Sequence, residues 1–425
     1  MSGLSLGIDV GTSGVRTAVR DGSGSVLSDA RVGHEAQTPN AIDAKAWWRA
    51  VRACILAQVA ALRAKGYDPK QIDRICVDGT SGSMVLTDAE LEPVTRALMY
   101  NSKGFADEAA QIAKHAPDPH ITRGSGSALA RAMRLVSEDR DGRATHLLHQ
   151  ADYITAVLRG VGGASDENNA LKTGYDPETG QWPDWVPDLG FPTDILPTVA
   201  RAGAPLGPIA PGVAQDLGLS PNLCIHAGTT DSIAAFLAAA PLSEGAAVTS
   251  LGTTLAIKVL SPTRIDAPDC GLYSHRLGDQ WLVGGASNTG GGVLLSVFPA
   301  DELAALSERI DPAVASPLDL YPLTEPGERF PINDPVLAPR MDPRPDDDAA
   351  YLHGLLEGIA RIEAQCYDQI VAFGGVRPSV LFTAGGGAQN AVWTAIRARV
   401  LGMTPQNAPT SEASVGVARL ALQSN

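Results

Sequence analysis

The chain has 425 residues, and because one domain ordinarily takes about 100–200, this length predicts two large domains. Hydrophobic residues make up 44% of the chain and charged residues 19%, which is typical of a globular protein with a substantial core. The formal net charge of −14 argues against a nucleic-acid-binding protein, which needs a basic face to meet phosphates.

The start of the chain and its cysteines bear on location. The sequence begins MSGLSLGIDVG, without the basic and apolar regions of a secretory signal, and no run of about 18 apolar residues follows later. We therefore expect no signal peptide and no membrane span. The five cysteines are scattered and never spaced as CxxC, which predicts reduced thiols, no zinc site and a cytoplasmic protein.

The first part of the chain predicts an antiparallel strand pair, then a helix and another strand. Residues 4–10 read as a buried strand, the turn Gly11-Thr12-Ser13-Gly14 follows, and residues 15–20 return as a second strand. Apolar residues at helical spacing predict a helix over 44–62, and the run IDRICVD predicts a strand over 72–78.

Regular periodicity is lost between about 160 and 215, where Gly, Pro, Asn, Asp and Trp are frequent. The aromatic residues in this segment favour an irregular but ordered insertion over a sheet edge, in preference to a disordered linker. Beyond it, residues 223–227 read as a strand and residues 232–240 as an Ala-rich helix.

The second part of the chain repeats the opening pattern. A strand over 247–251, the turn Gly252-Thr253-Thr254 and a strand over 255–260 match residues 4–20 in type and order. Later segments predict a helix over 351–373, a strand over 380–384, and helices over 392–401 and 413–422. The repeat predicts two domains of common topology, over residues 1–240 and 241–425.

The two glycine turns are candidate phosphate sites. A strand that ends in Gly-Thr-Ser-Gly exposes backbone N–H groups, and its short side chains allow a phosphate to approach them. One copy alone is as compatible with an ordinary hairpin turn. Two copies at strand ends form a more specific signal, and neither GxxxxGK[ST] nor a strand-linked GxGxxG is present to suggest another nucleotide site.

Two aspartates stand next to such turns. Asp9 ends the first strand, where a carboxylate can hold magnesium through water, although it could instead close its own turn. Asp231 lies in AGTTDS between a strand and a helix, where a rigidly held carboxylate can take the proton of an attacking hydroxyl group. The alternative for Asp231 is a helix N-cap. The three glycines of 385–387, between a strand and a helix, would let a flat ring lie against bare backbone.

Four segments together resemble the FGGY carbohydrate kinases of the actin/hexokinase/Hsp70 superfamily: LGIDVGTSGVRTAV (6–19), HAGTTDSIAAF (226–236), VTSLGTTLAIK (248–258) and FTAGGGAQNAVWTAIRARVLGMT (382–404). They are similar to the family's first phosphate, catalytic Asp, second phosphate and adenosine motifs, in the family's order. The resemblance implies an α/β fold of two actin-like (ribonuclease H-like) domains that flank a deep cleft. The N-terminal domain would bind sugar and the C-terminal domain ATP.

The resemblance also implies a role for each matching residue. Asp231 would be the general base, and Asp9 would bind Mg²⁺, through water. The terminal phosphate of ATP would meet Gly11, Thr12, Ser13 and Arg16. The inner phosphates would meet Gly252, Thr253 and Thr254, and adenosine would meet Gly385, Gly386, Gly387 and Asn390. The sugar would lie near Asp9, Ser13, Ser81 and Asp231.

The substrate is suggested by segments that differ within the family. VDGTSG (77–82), the Tyr-Asn pair of MYNSKGFADE (99–108), LLHQADYI (147–154) and SDENNALKTGYDPETGQWPDW (165–185) resemble the short pentulose kinases of cyanobacteria and plant plastids, whose preferred sugar is D-ribulose. We therefore expect D-ribulose to be converted to D-ribulose 5-phosphate. D-Xylulose is the alternative sugar, and a nucleotide-binding pseudokinase or sugar sensor is the non-enzymatic alternative. A homodimer is left open.

Overall fold

The computed structural model describes residues 3–35 and 42–423, which contain 16 strands and 12 α-helices. The strands are β1 (Leu4–Val10), β2 (Gly14–Arg20), β3 (Val26–Gly33), β4 (Ile72–Gly79), β5 (Met84–Thr87), β6 (His146–His149), β7 (Ala164–Asp166), β8 (Thr198–Ala200), β9 (Pro205–Pro208), β10 (Cys224–Thr230), β11 (Ala246–Leu251), β12 (Leu255–Ser261), β13 (Tyr273–Leu277), β14 (Gln280–Ser287), β15 (Val380–Ala384) and β16 (Gln406–Asn407). The helices are α1 (Ala44–Ala64), α2 (Ala106–His115), α3 (Ala128–Glu138), α4 (Gln150–Arg159), α5 (Glu167–Thr173), α6 (Pro211–Leu217), α7 (Asp231–Ala239), α8 (Gly291–Val297), α9 (Glu302–Ser307), α10 (Asp348–Ala372), α11 (Ala391–Leu401) and α12 (Ala413–Gln423).

The chain forms two compact units. The first contains residues 1–238 together with 412–425, and the second contains residues 239–411. The predicted boundary at 240/241 lies close to this division. The prediction differs at the C-terminus, because α12 belongs to the first unit and not to the second.

The first unit is built on a six-stranded sheet in the order β3-β2-β1-β4-β10-β9. The strand β1 pairs antiparallel with β2 and parallel with β4, which pairs parallel with β10. All seven residues of β1 are buried, including Ser5 and Asp9, as expected of a strand covered on both faces. The helix α12 comes so close to β1 that a Cβ on Gly7 would lie 2.0 Å from the Ser414 carbonyl oxygen.

The second unit repeats this arrangement. Its six-stranded sheet has the order β13-β14-β12-β11-β15-β16, and β11 pairs antiparallel with β12 and parallel with β15. In both units an antiparallel hairpin is thus followed by a parallel strand beside its first member. The predicted two-domain α/β fold is confirmed.

The predicted elements agree with the structure at most positions. The strands expected near residues 4, 15, 72, 223, 247, 255 and 380 and the helices expected near 44, 232, 351, 392 and 413 are all present, with ends shifted by a few residues. The segment 160–215 is more regular than predicted, because it contains α5, α6 and β9, the edge strand of the first sheet. The five cysteines are free thiols, and none of the described helices is long and apolar enough to cross a bilayer.

Candidate active site

A row of polar side chains crosses the carboxyl end of the first sheet. In register, Asp9 on β1 lies beside Arg16 on β2 and beside Asp78 on β4, and Asp78 lies beside Thr229 on β10. Residues in register on adjacent strands project from the same face of a sheet. The row therefore brings two carboxyl groups together at the strand ends, where open α/β sheets bind their ligands.

Asp9 is the predicted magnesium-binding residue, and its surroundings suit a carboxylate. Its side chain is buried, and Oδ2 lies 3.2 Å from Nη1 of Arg16, whose Nε lies 3.8 Å from Glu412 Oε2. Burial raises the pKa of Asp9, while the Arg16 charge opposes that rise. Arg16, expected to contact the terminal phosphate, is thus half-exposed and paired with Asp9 in this structure.

Asp78 is a site residue that sequence reasoning missed. It is completely buried, and no N–H or hydroxyl group of another described residue donates to either carboxyl oxygen. Burial, together with the charges of Asp9 and Asp231, raises the pKa of Asp78 well above its usual range and favours the protonated acid. A protonated Asp78 can donate to Asp9, and that hydrogen bond lowers the pKa of Asp9. The sequence did contain a signal for this residue. The strand β4 ends in Asp78-Gly79, much as β1 ends in Asp9-Val10 before Gly11.

Asp231, the predicted general base, is the first residue of α7, directly after β10. Its Oδ1 accepts a hydrogen bond from the Ser232 backbone N–H at 2.7 Å. Its negative charge contributes to the raised pKa of both Asp9 and Asp78, so the three carboxyl groups share one site. The strand-to-helix junction expected from the sequence is present and places a half-buried carboxylate beside the row.

The first glycine turn joins β1 to β2 and has an exposed tip. The Gly11 N–H donates to Gly14 O at 2.9 Å, and the side chains of Thr12 and Ser13 face solvent. The His34 backbone N–H donates to Ser13 O at 3.1 Å and so ties the turn to the residue that follows β3. The turn is therefore fixed at its base and exposed at its tip, and phosphate binding there remains a prediction.

In the second unit, the other glycine turn and the triple glycine line one cavity. The cavity measures about 590 Å³, and Gly252, Thr253, Gly386, Gly387 and Asn390 contribute to its wall. This volume is in the range of small-molecule sites. The parallel pairing of β11 with β15 brings the ends of these two strands together, and with them the two glycine segments that follow. Thr254 follows Thr253 in the exposed tip of the turn.

Glycine is needed where β15 ends, because the backbone passes so close to β11. Gly385 has a φ of +86°, and a Cβ there would lie 2.6 Å from Leu251 O. A Cβ on Gly387 would lie 2.7 Å from side-chain atoms of both Leu251 and Trp393. The triple glycine therefore shapes the cavity as well as leaving room in it.

Asn390 has a structural role in addition to its place in the cavity wall. Its Oδ1 accepts from the Trp393 backbone N–H at 2.9 Å and so caps α11, while its Nδ2 donates to Ser307 Oγ at 2.9 Å. Contact between Asn390 and adenosine remains a prediction. The cavity is also lined by Leu294, Leu303 and Ser307 from α8 and α9, which were not predicted because they form no recognisable motif.

Each of the two units matches a domain of one known protein family. Residues 4–238 match the N-terminal domain of the FGGY family of carbohydrate kinases, and residues 247–424 match its C-terminal domain. The chain is 24% identical to a xylulose kinase of Escherichia coli (strain K12), over 93% of this chain and 84% of that protein. It is 21% identical to a gluconokinase of Bacillus subtilis (strain 168), over 79% and 70% of the two chains.

Solved structures show the same fold. The xylulose kinase from Rhodospirillum rubrum superposes with a TM-score of 0.84 at 22% identity, over 98% of this chain and 89% of that one. Glycerol kinase from Plasmodium falciparum, solved with ADP, gives a TM-score of 0.84 at 17% identity, over 98% and 88%. The chain belongs to the FGGY family of carbohydrate kinases, phosphotransferases that use ATP and an alcohol group of a sugar as acceptor.

Proposed function

We propose that this kinase phosphorylates the terminal hydroxyl group of a ketopentose, D-ribulose, and releases D-ribulose 5-phosphate and ADP. The observation that carries the proposal is the meeting of Asp9, Asp78 and Asp231 at the ends of β1, β4 and β10. The choice of D-ribulose rests on the resemblance of residues 77–82, 99–108, 147–154 and 165–185 to the short pentulose kinases. D-Xylulose is the alternative, because several curated relatives are xylulose kinases.

Asp231 is proposed as the general base. A carboxylate must lie within hydrogen-bond reach of the attacking hydroxyl group and must be held still there. Asp231 meets the second requirement because β10 ends and α7 begins at this residue, and its own helix binds one carboxylate oxygen. As the hydroxyl oxygen attacks the terminal phosphorus of ATP, its proton passes to Asp231 and the bond to the ADP oxygen breaks.

Asp9 and its neighbours are proposed to face the transferred phosphate. The exposed Gly11–Gly14 turn offers backbone N–H groups, and Ser13 adds a hydroxyl group. Because the protonated form of Asp78 is favoured, this acid adds less negative charge to the site than an ionised carboxylate would. That difference helps a site rich in carboxyl groups to accept a triphosphate.

The residues present fit a magnesium ion that arrives with the nucleotide. Among residues 3–35 and 42–423, no group of three or more His, Cys, Asp and Glu side chains could together hold a metal. Asp9, a buried carboxyl group at the end of β1, would hold the ion through water. When bound, the ion offsets negative charge on the phosphates.

The second unit is proposed to hold ATP. The cavity of about 590 Å³ has room for a nucleoside, with Gly386 and Gly387 below the base. The inner phosphates would bind at the carboxyl end of β11, to the turn formed by Gly252, Thr253 and Thr254. The free thiols fit a cytoplasmic setting, where cysteines stay reduced.

A coupled ADP-release assay with D-ribulose, D-xylulose, pentitols, gluconate and glycerol tests the proposal. We expect the highest kcat/KM with D-ribulose and little ADP release without sugar. A clear preference for D-xylulose or glycerol would overturn the sugar assignment and leave the kinase assignment standing. Absence of sugar-dependent ADP release with every acceptor would favour the nucleotide-binding sensor.

A further inference from the structure

A chain of hydrogen bonds holds the segment that follows β4. The backbone N–H of Thr80 donates to Gln150 Oε1 at 3.0 Å, and Thr80 Oγ1 lies 2.7 Å from the same oxygen. Ser83 Oγ lies 2.6 Å from Thr80 Oγ1 and accepts from the Tyr100 backbone N–H at 2.9 Å. Gln150, the first residue of α4, thus touches the loop that carries Ser81.

The direction of every bond in this chain can be assigned. A backbone N–H can only donate, so the Gln150 atom that faces Thr80 must be the amide oxygen. The Thr80 hydroxyl group then donates to that oxygen and accepts from Ser83, whose hydroxyl oxygen takes the Tyr100 N–H. The amide nitrogen of Gln150 consequently faces away from Thr80.

Two polar atoms remain uncommitted beside this chain. Gln150 is fully buried, yet its Nε2 has no hydrogen-bond acceptor among the described residues. The Oγ of Ser81, the residue expected to bind sugar, is also buried and has no partner in the same part of the chain. Buried donors and acceptors in native proteins are nearly always paired, so each exception calls for an explanation.

The surrounding backbone is fixed by other contacts. The Gln150 N–H donates to Ser83 O at 2.9 Å, and the buried Arg131 donates to Gly82 O at 2.9 Å and to Tyr100 O at 3.1 Å. A shift of the loop would break these bonds together. The two uncommitted atoms are therefore held in place and not free to find partners within the loop.

The loop that carries Ser81 and touches Gln150 begins beside the proposed base in the register of β4 and β10. Gly79 on β4 pairs in register with Thr230 on β10, so Thr80 and Asp231 are the first residues beyond the paired strand ends. The amide of Gln150 meets the chain at Thr80. A sugar whose terminal hydroxyl group reaches Asp231 would pass its secondary hydroxyl groups along this loop.

We propose that Gln150, through its Nε2 and together with Ser81 Oγ, reads a secondary hydroxyl group of the ketopentose and so determines which stereoisomer is phosphorylated. This inference rests on the proposed function. A hydroxyl oxygen can accept from the amide while its hydrogen is donated to Ser81. Inverting that carbon turns the hydroxyl group away and leaves the buried partners unpaired, and sites of this kind reject such analogues strongly.

The test compares stereoisomers. D-Xylulose differs from D-ribulose only at C3, and L-xylulose differs only at C4. Gln150→Glu keeps an oxygen to accept from Thr80 but replaces the amide nitrogen. We expect the preference for D-ribulose over one of the two isomers, as a ratio of kcat/KM values, to fall at least ~10-fold, mainly through KM.

Ser83→Ala is the matched control, because it interrupts the hydroxyl chain and leaves the Gln150 amide in place. This variant is expected to lower kcat/KM for all three sugars by a similar factor and to preserve the ratio. If Gln150→Glu fails to fold, Gln150→Met removes the same N–H group and is judged by the same ratio.

An equal loss for all three sugars in the Gln150 variants, or no loss, would overturn the inference and leave Gln150 with a structural role. A wild-type enzyme that prefers D-xylulose or L-xylulose would instead overturn the proposed substrate. The inference would then be judged on whether the Gln150 variants reduce that other preference.

Discussion

The three aspartates of the candidate site differ in burial and in hydrogen-bond partners, and these differences give them different chemical properties. Asp9 is buried beside Arg16, Asp78 is buried without a donor among the described residues, and Asp231 is half-buried at the start of a helix. The carboxyl group of Asp9 therefore pairs with a cation, and that of Asp78 favours its protonated form. The carboxyl group of Asp231 is proposed to contact the substrate. Two substitutions separate these roles.

Asp231→Asn tests the base. Asparagine keeps the size of the side chain and can still accept from the Ser232 N–H, but it cannot take up a proton at neutral pH. We expect kcat to fall at least ~10²-fold, on the scale of general-base catalysis, while the affinity for ATP changes little. Steady-state kinetics and nucleotide binding measured by calorimetry check this, and an active Asp231→Asn enzyme would refute the assignment.

Asp78→Asn tests the protonation of the buried acid. Folding raises the pKa of the Asp78 carboxyl group above its value of about 4 in the unfolded chain. Its contribution to the stability of the native state is therefore complete below about pH 4 and is lost as the pH rises through the pKa of the folded protein. Asparagine can donate to Asp9 at every pH. The melting temperature of the wild type should therefore decline with rising pH more steeply than that of Asp78→Asn.

Thermal unfolding followed by circular dichroism over a range of pH makes the comparison. Asp78→Leu is the matched control, since it removes the charge and the hydrogen bond together. Parallel curves for the wild type and Asp78→Asn would show that Asp78 is ionised in the native protein, contrary to our expectation.

At the level of elements, a buried ion pair links two helices to the strands β11 and β15, which lead to the cavity of the second unit. Arg397 on α11 meets Glu363 on α10 through two bonds of 2.6 and 2.7 Å, and both side chains are 1% exposed or less. Glu363 also accepts from Thr249 Oγ1 on β11, and Arg397 donates to Thr383 Oγ1 on β15 at 2.8 Å. These two threonines are paired in register, and their strands lead to the Gly252 turn and to the triple glycine.

Arg397→Met is expected to destabilise the protein strongly. Removing one partner leaves the Glu363 carboxylate buried and unpaired, which costs about 3–5 kcal/mol. Urea unfolding monitored by tryptophan fluorescence gives the free energy of unfolding. The double substitution Arg397→Met with Glu363→Met should recover part of the loss, because an apolar pair leaves no unpaired charge.

Equal stability of the single and double variants would show that the charge of Glu363 is not the cause of the loss. The KM for ATP is the second measurement. If the ion pair positions the two glycine turns, this KM rises in the single variant and recovers in part with the double one.

At the level of the whole molecule, the sequence predicts local features better than those created by pairing between strands. Asp9 and Asp231 were candidates because glycine and threonine residues flank them at strand ends. Asp78 and Gln150 depend on register and on a contact between distant segments, neither of which a single strand or helix pattern reveals. The edge strand β9 was missed because its Pro-Leu-Gly-Pro sequence is a poor strand pattern, and pairing with β10 overrides that local preference.

The packing of α12 in the first unit was also beyond local reasoning, although small residues in α12 allow its close approach to α7. A Cβ on Gly416 would lie 1.8 Å from the Ala234 carbonyl oxygen in the first turn of α7. The Ser5 hydroxyl group donates to Ala418 O at 2.8 Å, and Arg419 donates to Leu237 O at 2.8 Å. The end of the chain thus packs against the helix that begins with Asp231.

Gly416→Ala should therefore reduce both stability and activity. Alanine favours a helix, but its methyl group would meet backbone atoms that cannot move aside without shifting α7, so we expect a loss of about 1–3 kcal/mol. Gly212→Ala, in the helix α6 of the same unit, is the matched control, because a Cβ there meets no atom of the described residues within 4 Å apart from its chain neighbours and the nearby backbone of its own helix. Its free energy of unfolding should change by less than about 1 kcal/mol and its kcat should not change.

Because α7 carries Asp231, Gly416→Ala should also lower kcat at temperatures where the variant is fully folded. A folded variant with unchanged kcat would show that α12 supports the fold without positioning the base.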